Sequence, residues 1–208
     1  IDHLVERRPP PPEDINTVYE TRIKRIYSAI IEFVIKARET ITGKFGENLQ
    51  VTSRAAREIV AAIKSVKQLQ KNLQHYLQSD SETIVAAYNH LRLKIALVMR
   101  QIEEVRKMED PIEATLALDE ILLYLEEDTS QVTENVEELL RNGSITPEMG
   151  TSLMTDSDYA YATCKNLVAV AKMLFTREDA EEQQIEIDLA LTDDEMADII
   201  RSSGNESN

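Results

Sequence analysis

A carboxylate at position 156 stands where the surrounding pattern asks for an apolar side chain. Met149, Leu153, Asp156, Ala160, Thr163, Leu167, Val170 and Leu174 recur every three or four positions, the spacing of one face of a helix. An aspartate in that register is costly to bury unless it is paired or hydrogen-bonded. Asp156, with Asp158 and Tyr159 beside it, is therefore the first candidate for a ligand or switch group. Gln70 interrupts another apolar stripe in the same way and adds a second candidate for a polar core. The plainer alternative for Asp156 is a carboxylate that reaches solvent or a neighbouring lysine or tyrosine.

Other chemistry is thinner. Glu113, Glu120, Glu127 and Glu134 repeat every seven residues, but on the outer side of the apolar seam of their helix, where acids are solvated. Glu126, Glu127 and Asp128 form a denser cluster, a candidate cation site. His75 and His90 are candidates for phospho-accepting histidines only if exposed. Cys164 and three scattered histidines give no nucleophile–base spacing. Five glycines in the whole chain leave no phosphate-cradling loop. Glu-x-x-His, which aims two ligands at one metal in di-iron bundles, is absent. No catalytic residue and no metal ligand is assigned, and no cofactor is expected.

Long rods must position these residues. Asp110, Pro111 and Glu113 make a helix start, with a capping carboxylate, proline at the first position and glutamate at the third. Asn142-Gly143 makes the matching stop. Between them Leu118, Leu122, Leu125, Thr129, Val132, Val136 and Leu139 step by fours and threes, the seam of a bundle helix. At 1.5 Å per residue this rod is roughly 45–50 Å long and needs equally long partners. It is expected to organise the rest. Those partners are read at 14–42, where Gly43 and Gly46 break the helix, at 52–78, capped by Thr52 or Ser53, at 81–108, capped by Asp80 or Ser81, and at 147–175, begun by Thr146-Pro147. Short connections make neighbours antiparallel. The expected fold is all-α, an antiparallel bundle of about five long helices over residues 14–175.

Bulk properties agree. The 208 residues are 42% hydrophobic and 29% charged, with no Trp, a composition of helices rather than sheet. One cysteine excludes an internal disulfide. The net charge of -15 is uneven: residues 1–107 carry 18 basic and 13 acidic groups, residues 108–175 carry 3 and 14, and residues 176–208 carry 2 and 11. Such acidity excludes general nucleic-acid binding. The basic half suits a negative surface such as a membrane.

Before the bundle, Arg7 and Arg8 precede Pro9 to Pro12. Arginines followed by a stiff polyproline spacer are how a cytoplasmic domain leaves a membrane span. Residues 1–13 therefore read as a juxtamembrane linker, with Arg7 and Arg8 as candidate membrane-proximal contacts. Residues 176–208 read as an acidic flexible tail. Within it Ile185, Ile187, Leu189 and Leu191 alternate like a strand, and a short helix follows through Ile200.

Several strings resemble a known family. Arg-Arg before prolines at 7–12, Val66-Lys-Gln-Leu-Gln-Lys-Asn-Leu73, Ile145-Thr-Pro-Glu-Met-Gly-Thr-Ser-Leu-Met-Thr-Asp-Ser-Asp-Tyr159 and Cys164-Lys-Asn-Leu167 are similar to the cytoplasmic C-terminal domain of bacterial Na/Pi cotransporter family proteins. That domain is itself similar to the phosphate-regulatory protein PhoU. The resemblance covers about residues 1–175. It implies a helical bundle that regulates or stabilises a sodium-dependent phosphate transporter from the cytoplasmic side of the bacterial inner membrane. The implied partner is the transmembrane part of the same transporter, and a homodimer is a further candidate. The alternative it implies is a free-standing PhoU-like regulator that binds a transporter or sensor kinase. PhoU proteins hold multinuclear metal through Glu/Asp-x-x-x-Asp motifs. Here the matching helix reads Glu58-Ile-Val-Ala-Ala62, followed by Lys64, Lys67 and Lys71. The motif is absent there, so no metal ligand is carried over. Its one occurrence is Asp194-Glu-Met-Ala-Asp198, in the tail.

Overall fold

The computed structural model describes residues 14–38 and 44–176. The 1–13 linker with Arg7 and Arg8, Gly43 and the strand-like tail all lie outside the described residues. Among the described residues five helical rods follow one another. Rod α1 comprises Ile15–Val18, a π-helical turn Tyr19–Ile23, and Lys24–Arg38. Helix α2 is Lys44–Tyr76, α3 is Glu82–Val105, α4 is Pro111–Arg141 and α5 is Pro147–Phe175. The fold is an all-α bundle with antiparallel neighbours. No helix among the described residues is long and apolar enough to cross a membrane.

Caps set most boundaries where the residue types place them. The Asp110 side chain accepts from Ile112 N at 2.9 Å, with Pro111 in the first turn. Gly143 has φ +72°, the left-handed turn that glycine adopts without strain. There its N–H and that of Ser144 close on Leu140 O and Leu139 O. Thr146 Oγ1 accepts from Met149 N to begin α5. One boundary differs: α2 runs straight through Gly46 and begins at Lys44. A single helical glycine costs only about 1 kcal/mol against alanine. That is too little to stop a rod of 33 residues.

The centre of the bundle is α5, not the long capped rod α4. Helix α5 packs against α2, α3 and α4 together. Its buried residues include Gly150, Ser157, Ala160, Thr163, Cys164 and Ala171, spread over more than one face. Small side chains let three neighbours approach closely. At Gly150 a Cβ would come within 2.9 Å of the Leu140 side chain on α4. Helix α4 buries only Ala114, Leu118, Ile121, Leu125 and Val136, one edge of a peripheral rod.

Two apolar clusters fill the interior. One gathers Leu69, Leu73 and Tyr76 of α2, Ile84, Tyr88 and Leu91 of α3, Val136 of α4, and Leu153 and Ala160 of α5. The other gathers Val98 and Val105, Leu118 and Leu125, and Cys164, Val168 and Ala171. Rod α1 contributes little. Among its described residues Val34 and Ala37 alone are buried, and it rests mainly on α2.

Candidate functional site

Asp156 lies in the third turn of α5 and is completely buried, at 0% exposure. Its answering group comes from α3. The Tyr88 hydroxyl donates to Asp156 Oδ2 at 2.6 Å. The Tyr88 ring stacks on Tyr76 of α2, with centroids 4.9 Å apart, and the Tyr76 hydroxyl donates to Ser152 Oγ at 3.1 Å. The contact thus ties α2, α3 and α5 together. Burial is the main influence on Asp156 and raises its pKa, while the Tyr88 hydroxyl and the Asn72 side chain pull it back. Burial, followed by the carboxylate it serves, pushes the Tyr88 phenol far up. Tyr88 is therefore a permanent donor. Oδ1 of Asp156 and Oγ of Ser157 are buried without a well-aligned partner among the described residues.

The other expected members are elsewhere. Asp158 is exposed and Tyr159 is half-buried against the first apolar cluster. Gln70 accepts from Ile15 N at 3.2 Å. It lines an apolar cavity of about 440 Å³ between α1, α2 and α3, with Leu69, Leu73 and Ile95 among its walls. The two polar candidates in the core register, Asp156 and Gln70, are thus not joined in one site. Asp156 is met by Tyr88 and Asn72, and Tyr76 backs the Tyr88 ring.

A second polar contact joins α3 to α4. Lys94 is 2% exposed, and its ammonium pairs with Asp128 Oδ2. Asp128 Oδ1 faces His90 Nε2 at 3.1 Å, and His90 is half exposed. The cation that meets the acidic cluster at 126–128 is thus a lysine of the same chain. His90 and Asp128 also line a cavity of about 470 Å³ between α3 and α4. Cys164 is fully buried, and its thiol is pushed up to about 12, chiefly by burial. A thiol so raised stays protonated and is a poor nucleophile at neutral pH.

The Lys94–Asp128 pair was readable in principle, from its register. Lys94 falls three residues after Leu91 and four before Val98, and Asp128 three after Leu125 and four before Val132. Both charges sit on apolar seams and face each other across them. No group of three or more His, Cys, Asp or Glu among the described residues is placed to hold a metal ion. No family model, curated protein or solved structure matches the chain.

Proposed function

We propose that the chain is a non-enzymatic regulatory and interaction domain, held at the cytoplasmic face of a bacterial inner membrane beside a sodium-dependent phosphate transporter. The observation that carries this reading is the division of charge between helices. Helix α2 has six Lys or Arg against two acids, and α4 has nine acids against one Arg. Arg54, Arg57, Lys64 and Lys71 of α2 are exposed. A basic rod on one side suits the anionic headgroups of a cytoplasmic leaflet, where each Lys or Arg near the surface contributes about 1 kcal/mol. An acidic rod elsewhere keeps the domain oriented. The two interior polar contacts hold helices to one another, which suits a rigid adaptor. The resemblance of the strings at 66–73, 145–159 and 164–167 to the Na/Pi cotransporter domain supports this choice of partner.

The test is sodium-driven phosphate uptake by the full reading frame, with and without the bundle. Uptake should survive deletion of the bundle while its response to phosphate supply is lost. An upstream sequence without apolar spans, together with a soluble regulator recovered on a transporter or sensor kinase, would move the assignment to the free-standing PhoU-like alternative. Unchanged regulation after deletion would remove both.

A further inference from the structure

Two outer faces of the bundle leave apolar stripes uncovered, and their borders carry opposite charge. On α4, Ile112, Leu116 and Leu123 are each more than half exposed, Ile112 at 71%. With 3.6 residues per turn, they fall within about 40° of one another on the helix surface. Glu113, Glu120 and Glu127 run along one side of this stripe, all exposed. On α1, Ile26 and Phe33 are also more than half exposed, Phe33 at 63%. Seven residues apart, they share one line on the rod. Here the border is basic: Arg22 lies one turn before Ile26, Arg25 lies on the adjoining side, and both are exposed. Rod α1 rests on α2, and α4 rests on α5 and α3.

We propose that these faces dock between copies of the chain, the α1 stripe of one molecule on the α4 stripe of the next. Apolar positions meet apolar positions while Arg22 and Arg25 lie against the glutamate row. Two copies joined α4 to α4 would bring like charges together, which disfavours that arrangement. The docking is heterologous. Each contact leaves one free α1 face and one free α4 face, so association continues beyond two copies unless it closes into a ring. This inference does not depend on the transporter assignment.

The experiment is sedimentation equilibrium of the full chain. Weight-average mass should rise with concentration. It should fall when salt is raised from about 50 mM to about 500 mM, which shortens the screening length roughly threefold. Phe33→Glu and Leu116→Glu each substitute an exposed side chain, and circular dichroism checks that both variants keep the bundle. Each alone should remain a monomer. Mixed one to one, they should form a heterodimer and nothing larger, because Leu116→Glu keeps an intact α1 face and Phe33→Glu keeps an intact α4 face. A chain that stays monomeric up to about 1 mM, the weakest association of interest, overturns the proposal. So does association that survives either substitution, or a mixture of the two variants that stays monomeric.

Discussion

Two aspartates sit in this bundle with opposite solutions to burial. Asp156, on the central helix, is sealed at 0% exposure and is met by a neutral donor, the Tyr88 hydroxyl. Asp128, on a peripheral helix, keeps its side chain about a tenth exposed and is met by a full positive charge, Lys94, with His90 on the solvent side. The difference follows from position. A carboxylate on α5 has helices on several sides, and a lysine would bring a second ion to be desolvated. A carboxylate on α4 lies near the surface, where an ion pair keeps part of its hydration. The first aspartate has a raised pKa because burial outweighs its hydrogen bonds. The second anchors a cation that has no route of its own to water.

Breaking the ion pair gives the largest effect. Asp128→Ala leaves the Lys94 ammonium buried without its counter-ion, and such a loss costs about 3–5 kcal/mol. Urea denaturation should show it as a lower midpoint with an unchanged slope. The double change Lys94→Met with Asp128→Leu removes both charges and should recover most of that stability. A double variant as unstable as Asp128→Ala would mean that shape, not charge, was lost.

Removing the neutral donor should do less. Tyr88→Phe keeps the ring that stacks on Tyr76 and takes away one hydroxyl. A buried acceptor left unsatisfied costs about 1–3 kcal/mol. The variant should also lose more stability than the native protein as pH rises out of the carboxylate range, because the carboxylate loses the group that favoured its charged form. If Tyr88→Phe proves as damaging as Asp128→Ala, the contrast between the two contacts collapses.

The sealed carboxylate also predicts a pH dependence of a particular sign. Its folded pKa lies above the ordinary value, so the folded state holds the proton more tightly than the unfolded chain does. The associated stability is fully present below the unfolded pKa and is lost as pH rises through the folded one. Asp156→Asn removes that dependence. The melting temperature of the native protein relative to Asp156→Asn should therefore improve as pH falls from neutral into the carboxylate range. A difference that is flat or of the opposite sign would mean that Asp156 is charged and well satisfied in the fold.

The rods themselves were legible because heptad steps and capping residues act locally. Pro111 and Gly143 mark α4, and Thr146-Pro147 marks the start of α5, as the structure has them. The rank of the rods was not legible from the same signal. A clean one-sided stripe, as on α4, marks a helix at the edge, whereas a helix covered on several sides loses its stripe. Gly150, Ser157, Ala160 and Cys164 look unremarkable in a sequence, yet they are what admits three neighbours to α5. Asp156 stood out because it broke a pattern. Its partner did not, because Tyr88 fits an apolar seam by its ring and only its hydroxyl reveals the second role.

The outer end of the ion pair supplies the smallest effect and separates the two contacts most sharply. His90 is half exposed and shares Asp128 with a buried lysine. Water can replace the imidazole at Oδ1, so His90→Ala should cost below about 1 kcal/mol, as exposed ion pairs do. The same carboxylate should therefore tolerate the loss of its exposed partner and not that of its buried one. Equal losses for His90→Ala and Asp128→Ala in urea denaturation would show that the pair is shut off from solvent, in which case Asp128 behaves like Asp156 after all.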